Sequence, residues 1–154
     1  MDRYFFVMYT SSQDKNVLPG GSNINFSIKL PNFITLEGSW SIALAEINTP
    51  KRKKDKEALP DMMDLICPQL ESSTVANGDL VSILRRIPMK SSNRFAFRKL
   101  LYRPLNKTTF SHLTFRIQSV NGDDNKQGIK DLQGAFEEES VLYLTLIFKK
   151  TSGQ

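Results

Sequence analysis

The chain has 154 residues, 40% hydrophobic and 24% charged, the proportions of a globular domain rather than of a disordered chain. One domain over 1–154 is expected, and the longest apolar runs, such as 141–148, fall far short of the ~20 residues that cross a bilayer as a helix, so no membrane insertion is expected. Lys and Arg number 21 against 16 Asp and Glu, a formal net charge of +5, with a sequence pI near 9.4; this suits a negatively charged partner without singling out nucleic acid.

Taken in chain order, the opening Met1-Asp2-Arg3-Tyr4 lacks the charged head, apolar stretch and small-residue cleavage site of a signal peptide, so secretion is not expected. From Tyr4 to Tyr9 the chain is apolar on both faces, as in a strand between layers or in an oligomer contact. Pro19-Gly20-Gly21 marks a turn. Ile24, Phe26, Ile28 and Leu30 alternate with Asn25, Ser27 and Lys29, the period-2 pattern of a half-buried strand. Trp40, Ile42 and Leu44 repeat it, with Ser41, Ala43 and Ala45 opposite. Strict alternation puts Glu46 on the face of Trp40 and Leu44, where it needs a partner or an exposed strand end.

The middle of the chain is less regular. Weaker strand candidates cover 64–67, 80–87 and 94–101, although Leu80, Ile83 and Leu84 also share a helix face. Asn77-Gly78 and Asn121-Gly122 are turn pairs. Leu113, Phe115 and Ile117 alternate with Thr114, Arg116 and Gln118, and a short helix is expected over 129–136. The closing strand sets Leu142, Leu144, Leu146 and Phe148 against Tyr143, Thr145 and Ile147. Seven to nine short strands with turns between them predict an all-β fold: an antiparallel β-sandwich, most simply a single jelly roll of Greek-key type with at most one or two short helices.

No catalytic constellation emerges. Pro19-Gly20-Gly21 is not followed by Gly-Lys-Ser/Thr and opens no helix, and no Gly-x-Ser-x-Gly is present. Glu137, Glu138 and Glu139 are consecutive, which in an extended chain points them to alternate faces. Asp123 and Asp124 fit no calcium-ligand spacing. The single Cys67 forbids an internal disulfide, and with the single His112 it supplies no zinc or haem cluster. Within Leu65-Ile66-Cys67 the thiol reads as a buried small hydrophobe. No enzyme activity, cofactor or metal is expected. Asn25-Phe26-Ser27 and Asn106-Lys107-Thr108 match the glycosylation pattern, which carries little weight without a secretory signal.

Basic residues are the more suggestive feature. Lys51, Arg52, Lys53, Lys54 and Lys56 crowd directly behind a strand, hence in a loop. A nuclear import signal, a phosphate contact and a merely solvated loop all fit this cluster. A second set, Arg85, Arg86, Lys90, Arg94, Arg98, Lys99 and Arg103, is interleaved with Phe95, Phe97 and Tyr102. Such rings can stack bases while the charges track a backbone, but Phe95 and Phe97 share a strand face and read more simply as core.

The stretch Phe26-Ser27-Ile28-Lys29-Leu30-Pro31, followed by Leu36-Glu37-Gly38-Ser39-Trp40-Ser41-Ile42-Ala43-Leu44-Ala45-Glu46-Ile47-Asn48-Thr49-Pro50, resembles proteins of Maverick/Polinton elements and of related adintoviruses and adomaviruses. Those proteins begin with an aromatic strand, here Tyr4-Phe5-Phe6-Val7, and then carry a Leu-x-Gly-x-Trp segment leading into an apolar strand that ends Glu-Ile-x-x-Pro. Further matches are Leu65-Ile66-Cys67-Pro68-Gln69-Leu70, Gly78-Asp79-Leu80, Leu84-Arg85-Arg86-Ile87-Pro88, Tyr102-Arg103-Pro104-Leu105 and the closing strand to Lys149-Lys150. The resemblance implies a virion protein, a minor capsid subunit of the penton-like single jelly-roll kind. After Pro50 relatives place aromatic residues where this chain has its Lys/Arg cluster, so a shared role for that loop does not follow.

The expectation is therefore a structural protein of a DNA virus. It forms a homo-oligomer (pentamer favoured, trimer as the alternative), contacts the major capsid protein, and resides in the virion and in the host nucleus during assembly. Tyr4, Phe5, Phe6 and Val7 are its candidate oligomer contact. The alternatives are a nucleic-acid-binding virion module using Lys51, Arg52, Lys53, Lys54 and Lys56 together with the basic set over 85–103, and, by fold analogy alone, a trimeric attachment domain.

Overall fold

The structure is a computed structural model that describes residues 3–10, 25–30, 38–49, 62–71, 74–76, 78–88, 94–105, 112–120, 129–131 and 142–150. These hold twelve strands: β1 (Arg3–Thr10), β2 (Asn25–Lys29), β3 (Trp40–Asn48), β4 (Met62–Ile66), β5 (Thr74–Ala76), β6 (Asp79–Val81), β7 (Ile83–Pro88), β8 (Arg94–Ala96), β9 (Arg103–Pro104), β10 (His112–Val120), β11 (Ile129–Asp131) and β12 (Tyr143–Lys150). No helix occurs among the described residues. The helix expected at 129–136 gives way over Ile129–Asp131 to a strand paired with Gln118–Val120. The helical alternative for Leu80, Ile83 and Leu84 gives way to two strands broken at Ser82, whose hydroxyl donates to the Leu70 carbonyl at 3.1 Å.

All ladders are antiparallel. The first sheet runs β1-β12-β3, with β8 and β9 side by side along the far edge of β3. The second runs β10-β4-β7, with β2 and β11 both on the other edge of β10. Strands β1 to β4 alternate between the sheets, β4 and β7 are neighbours, and the chain then alternates again through β8 and β9, β10 and β12. That wiring is a jelly roll. The β5–β6 hairpin forms a small separate sheet inserted between β4 and β7.

One core lies between the sheets. Phe26, Ile28, Phe115, Ile117, Met63 and Leu65 face it from the second sheet, and Ile42, Leu44, Ile47, Leu144, Leu146 and Phe148 from the first. An aromatic contact joins the two layers, Tyr9 stacking on Phe26 at 4.7 Å, and within the second sheet Phe26 stacks on its cross-strand partner Phe115 at 5.3 Å. Gly38, with φ +89°, makes the turn that starts β3, and a Cβ there would lie 3.1 Å from Lys150 Cε.

Two β-bulges set which residues face inward. Opposite β12 the register passes from Glu46↔Thr145 to Leu44↔Leu146, leaving Ala45 as the extra residue. The parity of β3 therefore switches. Ile47 takes the core side, and Glu46 faces outward, accepting a hydrogen bond from Thr145 Oγ1 at 3.0 Å. The expectation that Glu46 shares the face of Trp40 and Leu44 is corrected by that one residue. A matching irregularity makes Leu84 the extra residue where β7 pairs with β4.

Candidate assembly surface

Strand β1 sorts its apolar residues by face. Phe5 stacks on Phe148 at 4.6 Å and meets Trp40 edge-on at 5.3 Å; pairs of this kind add about 0.5–1.5 kcal/mol beyond simple burial. Val7 also packs against the core. Tyr4, Phe6 and Met8 point the other way and are 52%, 66% and 75% exposed. Of the four residues expected in an oligomer contact, Phe5 and Val7 thus face the core, and Tyr4 and Phe6 face outward beside Met8. A segment apolar on both faces does not reveal in the sequence which parity faces out.

The adjoining strand extends this surface. Register places Tyr143, Thr145, Ile147 and Lys149 beside Thr10, Met8, Phe6 and Tyr4, and Tyr143 is nearly half exposed. Lys149 Nζ lies between the rings of Tyr4 and Tyr102, 5.8 and 5.3 Å from their centres. Tyr102 therefore reaches the outer face from the segment between β8 and β9. At the opposite end of the face a cavity of about 280 Å³ opens among Met8, Glu46, Asn48, Arg94 and Tyr143. An exposed apolar row beside polar side chains is the composition of a protein contact.

The basic residues fall into separate settings. Lys51, Arg52, Lys53, Lys54 and Lys56 lie outside the described residues, as does Lys90. Arg86 makes a two-pronged pair with Asp64, Nε to Oδ1 at 2.8 Å and Nη2 to Oδ2 at 3.0 Å. The hydrogen bonds to Asp64 raise the pKa of Arg86. Asp64 is buried and Arg86 half exposed, so loss of the arginine, which strands a buried carboxylate, is the costlier half of that pair. Arg85 covers Phe97, its guanidinium carbon 4.1 Å from the ring centre. Phe95 and Phe97 pack against the core and do not form an exposed stacking row. His112 is exposed at the start of β10, and no group of three metal-ligating side chains occurs among the described residues.

No family model matches the chain, and no curated protein matches it in sequence. Among solved structures it is similar to the mavirus penton protein, with a TM-score of 0.59 over 97% of this chain and 100% of that one, at 8% sequence identity. At that identity the likeness is one of fold, and it spans the jelly roll from end to end.

Proposed function

We propose that this chain is a minor capsid subunit of the penton-like kind, which self-associates and contacts a major capsid protein in the virion. The observation that supports it is the end-to-end fold likeness to a penton protein. The outward row Tyr4, Phe6, Met8 and Tyr143 supplies an apolar contact surface on an edge strand and its neighbour. Burial of such rows is the main driving force of association between subunits. A pentamer is the assembly this reading favours, and the 51–56 cluster serves it as an import signal for assembly in the host nucleus.

Light scattering after size exclusion, at low and high salt, tests the reading. The expected mass is about five times the 17.5 kDa of one chain and does not depend on salt, because apolar contacts are not screened. The double change Phe6→Ser/Met8→Ser is expected to return the mass to that of one chain while the far-ultraviolet circular dichroism keeps its β-sheet form, since both side chains are exposed in the single chain; the melting temperature falls only by what association contributed. A salt-independent trimer would shift the reading to an attachment domain. A monomer that never joins a major capsid protein would overturn it and make the DNA-binding alternative the next to test.

A further inference from the structure

Two arginines lie on edge strands at one side of the sandwich, Arg85 on β7 and Arg103 on β9. Strand β7 edges the second sheet, and β8 and β9 edge the first on the same side, where Arg85 Nη1 donates to the Lys99 carbonyl at 3.0 Å. Arg85 stands opposite Leu65 and Arg103 opposite Ile42, both of them core-facing and fully buried. Residues directly opposite on paired strands share a face, so both arginines are on the inward side of their edge strands. Burial, and then the charge of Arg103, lowers the pKa of Arg85. Arg103 Nε is buried and has no acceptor among the described residues, and neither arginine forms an ion pair with a described carboxylate, Asp64 being taken by Arg86.

An inward charge on an edge strand is a known guard against edge-to-edge pairing. That explains one arginine per edge. It does not explain two like charges close enough to act on each other, nor a shielded donor left without an acceptor, an arrangement that costs stability unless something completes it. We propose that Arg85 and Arg103 together bind a small oxyanion, a carboxylate or a phosphate, that ties the two sheet edges to each other. Guanidinium groups match both anions through paired N–H donors. The source of the anion is either a Glu or Asp side chain of a neighbouring chain or free phosphate. The site stands independently of the capsid reading.

The test is the melting temperature in sodium phosphate, and separately in N-acetylglutamate, against sodium chloride at equal ionic strength. An anion present at about a hundred times its Kd is expected to raise it by about 5–10 °C. Arg103→Met is expected to melt higher than the parent in chloride, because repulsion and the orphaned donor are gone, yet to gain nothing from either anion. Arg85→Met loses the gain as well and decides the matter alone if the first variant fails to fold. Arg98→Met, an exposed neighbour, keeps the full gain. A larger gain from N-acetylglutamate assigns the anion to a neighbouring chain's side chain, and a larger gain from phosphate to the free ion. The proposal is overturned if the parent gains nothing, or if both arginine variants gain as much as the parent. Binding of a single-stranded oligonucleotide through these arginines, with no response to either small anion, overturns it too.

Discussion

Cys67 sits where β4 ends, fully buried, its Sγ donating to Gln69 Oε1 at 3.4 Å. Burial pushes the thiol from an ordinary 9.0 up to about 12. The thiol is therefore neutral and unreactive in the folded chain at physiological pH. The unfolded chain ionises it from about pH 9, the folded chain only near pH 12. The preference of the native state for the neutral thiol is present in full below pH 9 and is lost as pH rises toward 12, at about 1.4 kcal/mol per pH unit. Denaturant unfolding of the parent and of Cys67→Ala, compared from pH 8 to 11, is expected to show that slope in the difference between them. A difference that stays flat across this range would remove the buried thiol as its source. The apolar neighbours Leu65 and Ile66 are a sequence signal for this burial, whereas the Asp64–Arg86 pair is not legible, because only the β4–β7 register brings residues 22 apart into line.

At the scale of elements, the decisive detail is the extra residue in β3. Removing Ala45 makes Leu44, Glu46 and Ile47 consecutive, so a regular ladder still holds Glu46 outward opposite Thr145 and Ile47 inward. The shortened strand is therefore expected to keep a cooperative thermal transition by circular dichroism, with a loss of about 0.5–3 kcal/mol. Loss of that transition would show that the bend of the bulge itself is needed to seat β3. A trace of the bulge is visible in the sequence. The apolar series Trp40, Ile42, Leu44 resumes at Ile47, an odd step that only an inserted residue reconciles with one buried face. Alternation is plainly legible in β2 and β10, where polar residues mark the outer side. It is illegible in β1, where both parities are apolar and the packing of Phe5 on Phe148 and of Tyr9 on Phe26 decides which side is in.

For the whole molecule, the wiring puts β12 between β1 and β3, so the closing strand completes the first sheet. Pairings of such long sequence separation form late and slowly. A chain ending before Tyr143 is expected to lose two ladders at once, together with Leu144, Leu146 and Phe148 from the core. Its amide protons should then exchange without protection, whereas protection persisting in β3 would show that the first sheet stands without its central strand. This architecture was legible from the number and spacing of strand signals. The partner of each edge was not, because the jelly roll joins strands by sheet position rather than by sequence neighbourhood.

The β5–β6 hairpin has a consequence at the same scale. Its base is pinned to the frame: the Cys67 amide donates to the Ser82 carbonyl at 3.0 Å, and Leu70 bridges to Leu105. Val75 and Leu80, paired across the two strands, are 68% and 67% exposed. Substitutions at such tips shift stability by no more than about 0.5 kcal/mol. The insert is thus a region whose outward side chains can be exchanged with little effect on the frame that carries it.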